Sequence, residues 1–134
     1  MTGVYLDASF WIAYRDRDDP HHPDAHRIIR ELFHRRVHLL TTLPVLCEIH
    51  AYFTKSRHFC EIVIEDLWKN PIVLIEEVSY SDQEGAIELL RQNRDKTYSL
   101  CDAISFVVMR RLRLREAVAF DKHFHQIGEF KIVS

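Results

Sequence analysis

The sequence predicts an α/β fold, a three-layer α/β/α sandwich with a central parallel sheet, on three observations. Short apolar runs of strand length alternate with longer amphipathic stretches, the pattern of successive β-α-β units. Two of those runs, Val4-Tyr5-Leu6 and Val118-Ala119-Phe120, lead directly into an aspartate. A length of 134 residues suits one domain with a proper core and is short for two, so residues 1–134 are expected to form a single unit.

Gly3 to Leu6 reads as a first strand ending at Asp7, and Ala8 to Tyr14 as a short helix. After the polar turn Asp16–Pro20, Asp19 is expected to cap a second helix with Pro20 at its first position. Ala25, Ile28, Ile29, Leu32 and Phe33 make that helix amphipathic. Val37 to Thr41 is a second strand. Thr42 can cap a third helix carrying Leu46, Ile49 and Phe53 on one stripe. Phe59 to Trp68 is a fourth helix, stopped by Pro71. Ile72 to Ile75 reads as a buried strand, and Ser81 with Glu84 as the capping box of the next helix. Ser99 caps a helix running to about Arg111. Ala117 to Phe120 is a strand ending at Asp121, Lys122 to Gln126 a helical turn closed by Gly128, and Phe130 to Val133 a last strand.

Composition excludes several classes. Hydrophobic residues make up 47% and charged residues 28%, the balance of a soluble globular chain. No apolar run approaches the ~20 residues of a membrane span, and no signal peptide is apparent, so a cytoplasmic address is expected. Three glycines leave no Gly-rich phosphate loop. Cys47, Cys60 and Cys101 are widely spaced and sit in apolar contexts, which reads as core packing and not as a disulfide framework or zinc site. A net charge of -2 means that binding to a polyanion requires local patches or a bound cation.

Four carboxylates resist a purely structural explanation. Asp7 and Asp121 follow strands, and ligands of open α/β sheets bind beyond strand carboxyl ends at a switch in strand order. Asp102 is the one charged residue before Arg110 in the nearly all-apolar segment Leu100 to Met109, where an unpaired carboxylate is costly. Glu48 borders the apolar stripe of Val45, Ile49 and Tyr52. Brought together, such acids repel one another, by roughly 3 kcal/mol for two at about 5 Å and an effective dielectric of 20. A hard divalent cation reverses that sign and also attracts a phosphodiester.

At these residues the chain resembles a PIN domain, and within that superfamily the VapC-type toxins. The matching segments are Tyr5-Leu6-Asp7-Ala8-Ser9, Asp16-Arg17-Asp18-Asp19-Pro20-His21-His22 and Leu46-Cys47-Glu48-Ile49. Tyr98-Ser99-Leu100-Cys101-Asp102-Ala103-Ile104-Ser105 and Ala119-Phe120-Asp121-Lys122-His123-Phe124 complete the set, in order and over nearly the whole chain. The resemblance implies an endoribonuclease dependent on Mg2+ or Mn2+, with Asp7, Glu48, Asp102 and Asp121 as catalytic metal ligands and Ser9 supporting the first acid. It implies hydrolysis leaving 5′-phosphate and 3′-hydroxyl ends, a homodimer, and a small antitoxin protein as partner. Many relatives carry a further acid shortly after the fourth. Here Lys122, His123 and Phe124 fill that stretch, which leaves a tightly held second metal without an obvious ligand.

Other features have ordinary readings. His22 and His26 have two-histidine metal spacing, but no H-E-x-x-H motif accompanies them. His123 and His125 lie beside Asp121, a position open to a substrate-side role that no motif in the sequence supports. The arginines at 27, 30, 35 and 36 and at 110, 111, 113 and 115 could track an RNA backbone, although solvated helix faces are the simpler reading. Phe10, Trp11 and Tyr14 read as core or dimer contacts before base-stacking groups. Two rival readings fit the sequence less well. A phospho-acceptor receiver domain is disfavoured because Asp7 is followed by Ala8-Ser9 and because Glu48 and Asp102 fall within helices. A fold of this kind that only binds RNA or protein would have lost acids, and all four are present.

Overall fold

The computed structural model describes residues 3–134. The elements run β1 (Gly3–Leu6), α1 (Ala8–Arg15), α2 (His22–Arg35), β2 (His38–Thr42), α3 (Leu43–Tyr52), α4 (Arg57–Leu67), β3 (Val73–Glu76), α5 (Tyr80–Gln92), α6 (Leu100–Leu112), β4 (Glu116–Val118), α7 (Lys122–Ile127) and β5 (Lys131–Ile132). The five strands form one parallel sheet in the order β3-β2-β1-β4-β5. β1 is central, and all four of its residues are buried, as expected of a parallel strand covered on both faces.

Chain order dictates the layers. Right-handed crossovers from β1 to β2 and from β2 to β3 carry α1–α4 over one face. The return from β3 to β4 runs the opposite way and carries α5 and α6 over the other face. The packing agrees: α1 lies on α2 and α3, α3 on α4, and α5 on α6. Strand order reverses beside β1, since β2 lies on one side of it and β4 on the other. A crevice at the carboxyl ends of β1 and β4 is the consequence.

A buried polar link holds α6 in register with the sheet. The fully buried Tyr5 hydroxyl lies 2.7 Å from Ser105 Oγ on α6 and 3.1 Å from Thr42 Oγ1 at the end of β2. Thr41 Oγ1 donates to the Leu6 carbonyl at 3.0 Å. Both threonines lie against the last residues of β1, just below the crevice.

Several expected boundaries move. α2 starts at His22, not after Asp19, and has Pro23 in its first turn. Asp19 instead closes the preceding turn, its carboxylate accepting from the His21 amide at 2.8 Å. α5 is capped by Ser79 with Asp82, not by Ser81 with Glu84. The expected buried strand at Ile72 to Ile75 is the edge strand β3, with Ile72 and Leu74 exposed. β4 stops at Val118, two residues short of Phe120. Of the cysteines only Cys60 is buried; Cys101 is partly accessible and Cys47 exposed. Phe10 and Trp11 are core, in edge-to-face contact with centroids 5.3 Å apart.

Candidate metal centre

Each aspartate at the crevice is held by its own local structure. Asp7 leaves β1 and caps α1: its Oδ2 accepts from Ser9 N at 3.2 Å and Ser9 Oγ at 2.6 Å. Ser9 Oγ in turn accepts from the Phe120 amide at 2.9 Å, which ties the end of β1 to the segment after β4. Asp121 caps α7, its Oδ1 accepting from His123 N at 2.9 Å. Asp102 sits at the third position of α6 in a capping box: Ser99 N donates to Asp102 Oδ2, and Asp102 N donates to Ser99 Oγ, both at 3.0 Å.

Capping occupies one oxygen of each group. Among the described residues no protein hydrogen bond reaches Asp7 Oδ1, Asp102 Oδ1 or Asp121 Oδ2. The second oxygens are therefore left for a ligand that is not protein.

Asp7 and Asp102 are almost wholly buried, at 3% and 4% exposure. The Asp7 carboxyl is pushed up to about 7, first by burial and then by the fields of Asp102 and Asp121, against the two bonds from Ser9. No arginine or lysine pairs with Asp7, Asp102 or Asp121 among the described residues. A site that crowds carboxylates and supplies no fixed cation suits a divalent metal ion, which prefers oxygen donors and offsets their repulsion. One donor atom from each of Asp102, Asp121 and His123 lies within 4.8 Å of the others, close enough for a single ion to meet all three.

Glu48 stands farther out. It is exposed on α3 and reaches the cluster through Cys101, whose thiol faces the Glu48 carboxylate. Burial, then Glu48, Asp7 and Asp102, push that thiol well above the usual range, so it stays protonated. Of the residues singled out in the sequence, the fold brings Asp102 and Asp121 together, sets Asp7 with Ser9 near enough for the Asp7 carboxyl to feel both charges, and leaves Glu48 at the rim.

His123 is the residue that the sequence reading placed only loosely. Its Nδ1 lies 2.7 Å from Asp102 Oδ2 and 3.1 Å from Asp121 Oδ1, and its Nε2 lies 2.9 Å from Thr97 Oγ1. Its position two residues after a capping aspartate was the available signal. The other features fall away from the site. His22 Nδ1 and His26 Nε2 face the carbonyls of Ala13 and Tyr14 at 2.8 and 3.2 Å. Much of the basic character is neutralised in pairs: Arg35 with Glu116, Arg110 with Glu129, and Arg111 with Asp82 and Glu76.

The chain is similar to known proteins in sequence and in fold. The 23S rRNA-specific endonuclease VapC20 of Mycobacterium tuberculosis is 29% identical over 126 residues, spanning 93% of this chain and 94% of the relative. The crystal structure of VapC20, described as a sarcin-ricin loop cleaving toxin, superposes with a TM-score of 0.87 at 27% identity, covering 98% of this chain and 99% of that one. A toxin-antitoxin complex from Klebsiella pneumoniae shares the fold, with a TM-score of 0.69 at 16% identity over 98% of this chain and 96% of that one. The PIN domain family model matches residues 4–130, and the chain belongs to the PIN domain family.

Proposed function

We propose that this protein is a divalent-metal-dependent endoribonuclease and the toxin of a toxin-antitoxin pair, with residues 1–134 acting as one nuclease domain. The observation that carries the proposal is the convergence of Asp7, Asp102 and Asp121 at the β1/β4 crevice, each with one oxygen unused and with no fixed cation among them. The similarity to VapC20, a 23S rRNA-specific endonuclease, supports RNA as the substrate class and makes large ribosomal RNA the first substrate to test.

In this reading Asp7, Asp102 and Asp121 are the principal holders of a Mg2+ or Mn2+ ion, with Glu48 supporting them from the rim. Such an ion supplies charge neutralisation at a phosphate and lowers the pKa of water. The remaining work belongs to the chain. Ser9 fixes Asp7 and, through the Phe120 amide, sets its distance from Asp121. The capping box on α6 fixes Asp102. The raised Asp7 carboxyl belongs to the metal-free site, where no cation offsets burial and the fields of Asp102 and Asp121; a bound ion would hold Asp7 ionised as a ligand. The acids act as ligands and proton acceptors, not as nucleophiles.

Two partners complete the proposal. A small antitoxin protein holds the nuclease inactive, and a cytoplasmic address follows from an RNA target. A second copy covers the open apolar groove of about 680 Å³ beside the edge strand β3, where Leu43, Trp68, Ile87 and Leu100 are exposed. Among the described residues no helix is long and apolar enough to cross a membrane.

The test is cleavage of a fragment of large-subunit ribosomal RNA with Mg2+ or Mn2+, with and without chelator. Metal-dependent cuts bearing 5′-phosphate and 3′-hydroxyl ends, lost in Asp102→Asn, are expected. Cleavage leaving a 2′,3′-cyclic phosphate, or cleavage that persists in chelator, contradicts the mechanism.

A further inference from the structure

The ring of His123 is built into the cluster in a way that an ordinary surface histidine is not. Its side chain is 14% exposed. Nδ1 lies 2.7 Å from Asp102 Oδ2 and 3.1 Å from Asp121 Oδ1, the two oxygens that also take the capping bonds, and one donor atom from each of Asp102, Asp121 and His123 lies within 4.8 Å of the others, a span that one ion can bridge. Nε2 is fixed by Thr97 Oγ1 at 2.9 Å, and the Tyr98 ring packs edge-on at 5.5 Å between centroids. Histidines that bind metal through one nitrogen are usually held by a hydrogen bond at the other, which sets the tautomer and the plane of the ring. The Thr97 contact has that form. Nδ1 thus faces a carboxylate oxygen on each side, at the place where an ion shared by Asp102 and Asp121 would meet it.

We infer that His123 Nδ1 is a direct ligand of the ion held by Asp102 and Asp121, and that this nitrogen makes the centre prefer Mn2+ over Mg2+. The inference rests on the metal-centre reading above and deepens it. Magnesium is a hard ion that seeks oxygen and gives up its waters reluctantly. Manganese also favours carboxylate and water, but as a first-row transition ion it is softer than magnesium and gives up an oxygen ligand for an imidazole nitrogen at less cost. An all-carboxylate site treats the two ions much alike, and one substituted nitrogen favours manganese.

Pulsed electron paramagnetic resonance on the Mn2+-loaded wild-type protein is the direct test, because a bonded 14N modulates the electron spin echo whether or not the protein is turning over RNA. Labelling histidine with 15N identifies the nitrogen. A directly bonded nitrogen in wild type, absent in His123→Asn, is expected. The Kd for Mn2+ should rise at least about tenfold in that variant, the lower end of what losing even an indirect support of a metal ligand costs. The Kd for Mg2+ should change by less than about threefold, and His123→Asp, with oxygen restored, should bind both ions with little preference. Melting curves of the metal-free variants show whether the fold is retained, and the wild-type spectrum needs no variant at all. Mn2+ bound with no nitrogen coupling overturns the inference and leaves the carboxylate centre standing. Failure of Mn2+ to bind wild type at millimolar concentration overturns both, and equal weakening of both ions in His123→Asn reduces His123 to a structural tie.

Discussion

α5 and α6 begin with the same device and put it to opposite uses. Ser79-Tyr80-Ser81-Asp82 and Ser99-Leu100-Cys101-Asp102 are both capping boxes, with the same pair of 3.0 Å hydrogen bonds and an aspartate at 3% or 4% exposure. Asp82 is answered by Arg111, whose Nε lies 2.9 Å and whose second terminal nitrogen 3.0 Å from its oxygens. Burial alone would raise the Asp82 carboxyl, and the guanidinium together with the Ser79 bonds holds it below the usual range. Asp102 meets no guanidinium. It faces Asp7, Asp121 and the His123 ring. A buried aspartate is thus a structural strut where the fold supplies a cation and a candidate ligand where it does not.

Substituting the two aspartates' surroundings separates these roles. Asp102→Asn keeps the acceptor for Ser99 and His123, so the fold should persist. RNA cleavage should fall by at least about 100-fold, the upper end of what removing an indirect support of a metal ligand costs. Arg111→Met leaves Asp82 buried and unanswered. It should lower stability by roughly 2–3 kcal/mol in a urea melt, under the ~3–5 of a fully buried pair because Arg111 is itself partly exposed. Below its new melting point that variant should cleave RNA normally; loss of cleavage there would merge the two regions into one functional unit.

The pH dependence of stability sharpens the contrast. The Asp7 carboxyl lies near 7 in the metal-free fold, against an ordinary value of 3.8. Between those values the folded chain binds more protons than the unfolded one, so raising the pH lowers stability. The metal-free protein should therefore lose on the order of a few kcal/mol from about pH 4 to about pH 7. Asp7→Asn should flatten that slope, as should saturating Mn2+. An unchanged slope in Asp7→Asn would locate the proton uptake elsewhere. The Asp82 carboxyl, held low, has the opposite sign: its contribution is present above the ordinary range and is lost only as pH falls below it.

The smallest effects concern the caps. Ser79→Ala and Ser99→Ala should each cost about 1 kcal/mol. Only Ser99→Ala should also weaken Mn2+ binding, by about 10- to 100-fold, because only that serine orients a metal-facing acid. Equal affinities in the two variants would show that Asp102 needs no help from its cap.

This pairing also explains what could be read from the sequence. Asp102 stands out because apolar residues surround it along the chain, and Asp7 because a strand delivers it. Both signals are local, and both acids lie at the crevice. Asp82 has the same capping motif but sits among polar neighbours in a segment where Ser81 and Glu84 offer a second, overlapping box. The choice between the boxes is made by Arg111, 29 residues away, which no local pattern encodes. His123 is legible only as a neighbour of Asp121; its approach to Asp102 and Thr97 exists once α6 and α7 have packed. The apolar run at β3 predicts a buried strand, yet β3 lies at the sheet edge, because such a run does not reveal whether a second strand or solvent lies beyond it. The fold class survived these errors because it depends on the alternation of elements and not on their boundaries.

The central claim is that the crevice between β1 and β4 holds a divalent cation on Asp7, Asp102 and Asp121. Anomalous diffraction from crystals grown with Mn2+, recorded near the manganese absorption edge, tests it most directly. The account predicts a peak within bonding distance of those three carboxylates, absent in Asp102→Asn crystals and unaffected by Arg111→Met. A peak at the His22–His26 pair with none in the crevice, or no peak at millimolar Mn2+, would contradict it.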